Sequence, residues 1–406
     1  MTSVLRPAAD WELASFLADA TKSGAPLEIV GGHTKAKFGR PRPIATTIST
    51  HVLRGIRSFN PAERIVTVQG GCLISDIERE VQAMGQMLGF EPVDVAGVFG
   101  EETGRATIGG TIASNLAGSR RIAASGIGES LLGMRAVAGT GEVIQVGGGG
   151  TRGTDGLNLM RAIAGSWGTL AVMVEVSLRV QLLPERTHTL VIFGLSEEIA
   201  TEAMSGALAT PFGVTGTVHL EPRMAARLWF EELRDQQQSV TALRLENPAI
   251  SAANRVQRLK DALKAYGELH VLDDENSVSF WHELRLLSVL THSERPLWRI
   301  STLPSKAFEV VSGIRRYIEA DAFYDWSGGL IWLEVPKSAD AGATEIRRVI
   351  ASTGGHATLV RASDDVKASI DVFEPMHSGV ELMSKRIKKV FDPSGILNRG
   401  RMFADM

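Results

Sequence analysis

The chain has very little of what builds crosslinks and metal clusters. A single cysteine, Cys72, stands among 406 residues. No internal disulfide and no multi-thiolate zinc or iron–sulfur site can form within it, and a reducing compartment is the easier setting. Neither sign of charge dominates: 43 Lys+Arg against 46 Asp+Glu leave a net charge of −3. No basic excess points to nucleic acid, although a small anion would need only a local cluster. Long apolar runs are missing too. The most apolar stretch, Thr169–Leu178, is interrupted by Glu175 and is too short for a bilayer. At the N-terminus, Asp10 and Glu12 come before any signal-peptide core could extend. The expectation is a cytoplasmic protein without a membrane span, membrane-associated only through other subunits.

What the chain has in quantity is glycine. Its 42 glycines exceed the usual share of about 7%, and they crowd into the first 170 residues. Clustered glycine lets backbone approach a partner closely or turn with positive φ. Around these clusters the pattern is mixed. Asp10 can cap a helix carrying Leu13, Phe16, Leu17 and Ala20, with Gly24 as its stop. Leu27–Val30 and Arg64–Gln69 predict strands, and Ser75 with Glu78 forms a capping-box pattern ahead of a helix. Leu132–Ala138 and Glu142–Val146 predict a hairpin across Gly139-Thr140-Gly141. Leu157–Ala164 predicts a short helix, Leu170–Val180 a strand, Thr189–Phe193 a strand and Ser251–Tyr266 a long helix. Pro184 marks a plausible boundary. This is α/β organisation without internal repeats.

Three small-residue segments carry the chemistry. Val30-Gly31-Gly32-His33-Thr34-Lys35 follows a strand at once. Its consecutive amides can form an anion nest, Thr34 adds a hydroxyl and Lys35 a charge, so a pyrophosphate is the natural guest. The same residues would also serve a plain glycine turn. Ala106 to Gly118 (ATIGGTIASNLAG) suits close packing against a flat cofactor and its phosphates. Gly165-Ser166-Trp167-Gly168-Thr169-Leu170 is a tight turn into a buried strand. Gly148-Gly149-Gly150-Thr151-Arg152-Gly153 fits a dinucleotide-binding pattern, but the preceding hairpin makes its strands antiparallel, so it counts as a loop. His282-Glu283 lacks a second histidine at zinc-protease spacing, and His270 and His292 add no ligand spacing.

These segments resemble the flavin-binding domain of the vanillyl-alcohol oxidase superfamily, the PCMH-type FAD domain. Pro92 and Asp94 precede the second segment as in that family, and Val68-Gln69-Gly70-Gly71 through Ile77 resembles its strand-to-helix passage. Further along, Gly32-His33-Thr34-Lys35 to Gly39-Arg40-Pro41, Gly100-Glu101-Glu102, Leu116-Ala117-Gly118 with Arg120-Arg121, Leu297-Trp298-Arg299-Ile300-Ser301, Trp326, Gly354-Gly355-His356-Ala357-Thr358 and Phe391-Asp392-Pro393 to Leu397-Asn398 resemble the FAD-binding subunits of bacterial glycolate oxidase. The resemblance implies an α+β fold. A PCMH-type FAD-binding domain of two α/β subdomains would occupy residues 1–182, and a mixed α/β cap for substrate or subunit contacts residues 185–385. Residues 386–406 would return to the flavin domain.

It also implies FAD as cofactor, with contacts from Gly31, Gly32, His33, Thr34, Lys35, Thr107, Gly109, Gly110, Ala113, Ser114, Asn115, Gly118, Gly165, Gly168, Val174 and Asn398. The implied reaction is oxidation of glycolate, or a similar small 2-hydroxy acid, to the 2-oxo acid. It would proceed in a heteromeric complex with a homologous FAD subunit and an iron–sulfur subunit. Arg299, suited to a carboxylate, and His356, suited to a proton, are the candidates for chemistry in this chain. Structural roles suit both equally, and the decisive substrate chemistry is expected in a partner. Arg120-Arg121 suits a phosphate or a solvated loop end. No metal site is expected. Two other readings stand beside this one: a self-sufficient oxidase with flavin bonded to His33, and a flavin-free scaffold. The departures that motivate the latter are Asn398-Arg399-Gly400 where the family has N-P-G, a Gly153–Asn158 segment without the usual tyrosine and aspartate, and Ala171 and Val174 where a glycine and a threonine are usual.

Overall fold

In the computed structural model, which describes residues 3–42, 46–124, 126–147 and 153–406, three sheets divide the chain. The smallest is parallel, with Thr46–Ser49 between Ser3–Leu5 and Leu27–Val30. A parallel pair needs a long crossover, and the helix Asp10–Ser23 supplies one. That helix buries Leu13 and Leu17 and ends on Gly24, whose left-handed φ of 68° closes the last turn. Ala9, not Asp10, holds the N-cap position; Asp10 is the first helical residue and pairs with Arg135 instead.

The second sheet runs Ile56–Asn60, Ile65–Gln69, Ala171–Leu182, Leu131–Ala138, Val143–Val146, antiparallel throughout, with Gln86–Leu88 paired to the far end of Ala171–Leu182. Helices Ile74–Gln82, Ile108–Ser114 and Gly153–Ile163 belong to this part of the chain. The expected capping box is not formed. Leu73 takes the N-cap position with no side-chain bond, and Glu78 pairs with Arg285. The Gly148–Arg152 stretch of the dinucleotide-like pattern lies outside the described residues; the hairpin before it is antiparallel, with Met134 opposite Val146.

From Arg186 a third sheet of eight antiparallel strands builds up, and the spatial order departs from the chain order. It reads His270–Leu272, Arg186–Phe193, Val240–Asn247, Val214–Leu220, Asp321–Asp325, Leu330–Glu334, Leu297–Ser301, His356–Arg361. Its outer face packs against helices such as Glu197–Leu208, Ala249–Leu263 and Ala343–Thr353. Its core is continuous with Phe38, Val93, Val95, Val98, Leu116 and Trp167 from the first 182 residues. The last helix, Ser378–Phe391, delivers the chain back to the first sheet. There Leu27 N–H donates to the Ile396 carbonyl at 2.8 Å, and Ile396 and Leu397 join that core. This is the α+β arrangement of two α/β subdomains followed by a cap.

Candidate functional site: a cleft between three small-residue segments

The strand Leu27–Val30 ends in Gly31-Gly32, and both glycines are pressed against the chain ahead of the second segment. A Cβ on Gly31 would lie 2.1 Å from the Thr107 hydroxyl, and one on Gly32 1.5 Å from the Arg105 carbonyl. No side chain fits there. After them the loop wraps on itself, with Ala36 N–H donating to the His33 carbonyl and Phe38 N–H to that of Lys35. Thr107 caps the short helix Ile108–Ser114 by accepting from Gly110 N–H at 3.3 Å. The third segment is tied to this helix by two backbone bonds, Gly165 N–H to Ile112 and Trp167 N–H to Ala113.

Asn398 closes the arrangement from the far end of the chain. Its amide nitrogen donates to the Trp167 carbonyl at 2.8 Å and its oxygen accepts from Ile29 N–H at 3.0 Å. The four pieces line a cleft. Gly31, Gly32, His33, Thr34, Lys35, Thr107, Gly109, Gly110, Ala113, Ser114, Gly168 and Asn398 all line it. His33, in a left-handed conformation with φ 65°, also borders an adjoining hollow with Arg6, His51 and Arg105.

Four other expected residues stand behind the wall. Asn115 ends the short helix in left-handed conformation. Gly165 packs on Asn115. Val174 is buried in the core of the first sheet. Gly118 accepts a bond from the Trp326 indole N–H at 2.9 Å.

The electrostatics of the cleft rest on two cations. Burial pushes the Lys35 ammonium down to about 8, Asp94 opposing the shift and Arg401 adding to it. Burial likewise lowers Arg401 to about 9, with Arg42 adding to the effect and Glu28 opposing. Neither cation has a carboxylate in ion-pair contact among the described residues, whereas the adjacent Arg42 is paired with Glu28 at 2.9 Å. Arg401 lies over the Trp167 ring at 5.3 Å and donates to the Lys35 carbonyl at 2.6 Å, but its buried Nε has no partner. Lys35 and Arg401 thus line the cleft as two desolvated positive charges, which suits a bound anion. The glycine loop beside them leaves backbone that an anion could approach. Arg401 was absent from the sequence expectations; its signal was a basic residue three positions past Asn398.

The cap is fastened to this half by a buried network. Glu91 accepts from Arg244 at 2.9 Å and from Arg120 N–H at 2.9 Å, and the Arg120 guanidinium is shared with Glu246. Arg120 is thus an interface residue, and Arg121 pairs at the surface with Glu129. Arg299 and His356 lie on adjacent cap strands, outside the cleft lining. Among the described residues no group of acidic, histidine or cysteine side chains has metal-holding geometry. No helix there is long and apolar enough to cross a membrane.

Comparison with known proteins agrees with this architecture. A family model described as an FAD binding domain matches residues 2–147. The chain is 30% identical to the glycolate oxidase subunit GlcE of Escherichia coli (strain K12) over 392 residues, 95% of either chain. Among solved structures, 4-ethylphenol oxidase from Gulosibacter chungangensis superposes with a TM-score of 0.72 at 14% identity, covering 99% of this chain and 89% of that one. For p-cresol methylhydroxylase the TM-score is 0.70 at 14% identity, with 99% and 88% covered. Cleft, fold and sequence agree: the chain belongs to the family of FAD-linked oxidoreductases that contains the glycolate oxidase subunit GlcE, and its cofactor is FAD.

Proposed function

We propose that this chain is the FAD-binding subunit of a complex that oxidises glycolate, or a similar small 2-hydroxy acid, to the 2-oxo acid. The electrons then pass to partner subunits, a homologous flavin subunit and an iron–sulfur subunit. The observation that carries the reading is the pair Lys35 and Arg401, buried on the wall of a cleft with no carboxylate in ion-pair contact among the described residues. Identity across 95% of the GlcE subunit supports the assignment to such a complex.

In this reading Gly31, Gly32 and Thr34 approach the diphosphate, Lys35 and Arg401 neutralise it, and Gly109, Gly110 and Ala113 leave room along its side. Asn398 and Trp167 hold the C-terminal wall. FAD bound there supplies the two-electron acceptor; the chain supplies orientation and charge. The absence of a long apolar helix among the described residues fits attachment to a membrane only through partners.

The test begins with an absorbance spectrum of the fresh chain, which should show flavin bands, or gain them on adding micromolar FAD. Deleting the chain should abolish glycolate oxidation by the assembled complex. A colourless protein that refuses FAD would leave only a scaffold role. The left-handed His33 on the cleft wall keeps a flavin bonded to that ring as a second reading. Acid precipitation separates the two, since colour that stays with the pellet means a covalent link.

A further inference from the structure

We propose that Arg299 is the carboxylate-binding group of a substrate site on the inner face of the cap, and that this site takes small 2-hydroxy and 2-oxo carboxylates. The inference rests on the reading above and extends it to a residue of this chain.

Sheet register decides which way Arg299 points. It stands opposite Trp332 on one neighbouring strand and Thr358 on the other, while Ser301 stands opposite Leu330 and His356. Across the next strands Trp332 faces Phe323, Leu330 faces Asp325, Asp325 faces Val218, and Val218 faces Ala242, two residues before Arg244. Residues directly opposite, or two apart on one strand, share a face. Arg299, Thr358, His356, Trp332, Asp325 and Arg244 are therefore on one face. That face meets the flavin-binding half, because Arg244 bonds Glu91 and Asp325 accepts from the Ser119 hydroxyl at 2.9 Å.

The other arginines at this junction are satisfied. Arg244 and Arg120 share Glu91 and Glu246. Arg299 has no hydrogen bond and no ion pair among the described residues. Two indoles flank it instead, with the guanidinium 5.3 Å from the Trp326 ring centre and 6.0 Å from that of Trp332. Burial lowers its pKa to about 10, Asp325 opposing.

Asp325 is a poor counter-ion. Burial raises its carboxyl to about 7, and its oxygens already accept from Trp326 N–H and Ser119. His356, beside Arg299, is pushed down by its own burial and then by the Arg299 charge. Among the described residues no carboxylate forms an ion pair with this fork.

Arg299 is half-buried between the two indoles, and an unpaired guanidinium held there on the inner face is open to an arriving anion. The planar fork between aromatic rings fits a flat carboxylate in two-bond contact, with the Thr358 hydroxyl on the adjacent strand. The Trp326 bond to Gly118 ties this wall to the second glycine segment, which lines the cofactor cleft through Gly109, Gly110 and Ala113.

The test uses the full FAD-loaded chain, titrated with oxalate and with glycolate while the flavin absorbance is followed. Wild type should give a saturable spectral shift. Arg299→Met should keep its FAD and its resting spectrum but bind either carboxylate about 10- to 100-fold more weakly. Arg299→Lys should fall between the two. The uncharged analogue glycolamide should not distinguish wild type from Arg299→Met. Wild type that holds FAD yet shows no carboxylate response overturns the proposal, as does Arg299→Met binding as tightly as wild type. Failure to hold FAD at all would instead overturn the reading of the cleft.

Discussion

Asn398 holds the Trp167 carbonyl at 2.8 Å across 231 residues of chain, and the same amide group holds the backbone of Ile29. One side chain thereby fixes the distance between the first and third small-residue segments. Both of its bonds are buried or nearly so, and its removal leaves a donor and an acceptor without partners. Asn398→Ala should therefore lower stability by about 2 kcal/mol, read by denaturant unfolding. FAD affinity should fall by at least tenfold in fluorescence titration. Gly168→Ala should act in the same direction, since that residue has φ 71° and a Cβ there would lie 2.8 Å from the Asn398 amide nitrogen.

Lys35 and Arg401 should carry the salt dependence of cofactor binding. Lys35→Met and Arg401→Met should each weaken FAD by about tenfold or more, with a smaller loss of FAD affinity on adding salt than wild type shows. Both variants should fold, because each removes an uncompensated buried charge. Melting curves of the FAD-free proteins check that half of the expectation.

Lys35 also fixes a pH dependence with two opposite signs. Its folded-state pKa of about 8 lies below the ordinary 10.5, so between those values the unfolded chain binds more protons than the native one. Stability of the FAD-free protein should rise with pH through this window. In the proposed role of Lys35 FAD binding uses the charged ammonium, so affinity should fall as pH rises above about 8. Lys35→Met should remove both slopes. Equilibrium unfolding and FAD titration at pH 7, 8 and 9 read them separately.

Glu91 is the acid-sensitive fastening between cap and flavin-binding half. Burial pushes its carboxyl up, but Arg244 and Arg120 outweigh that and hold it at about 2. Its contribution is complete above the ordinary 4.5 and is lost as pH falls from there towards 2. Glu91→Gln would strand the Arg244 guanidinium, while Arg120 keeps Glu246, and should cost about 3 kcal/mol. Urea melts at pH 7 test the variant, and acid unfolding of the wild type tests the window.

The cleft was largely legible in the sequence because its parts are backbone features. Gly31-Gly32, Gly109-Gly110 and Gly165-Ser166-Trp167-Gly168 announce close approach whatever surrounds them. The cap was legible only as alternating strands. Its spatial order, with Asp321–Asp325 between Val214–Leu220 and Leu330–Glu334, follows from long-range pairing that no local pattern encodes. Local capping signals misled at Asp10 and Ser75, where ion pairing and helix starts one and two residues earlier won. Arg401 was missed because its meaning lies in Lys35, 366 positions away. Arg120 suited phosphate or solvent equally, and only the folded chain shows that two glutamates from different layers claim it.

The return of the chain end to Lys35 has a consequence for biosynthesis. Residues 27–36 can be made and folded early, but one wall of their cleft is missing until Asn398 and Arg401 have left the ribosome. In the proposed role, flavin loading waits until residues 398–401 join the cleft. Prematurely terminated products should emerge without colour, and a fusion placed just after residue 401 would disturb the cofactor before it disturbed the cap.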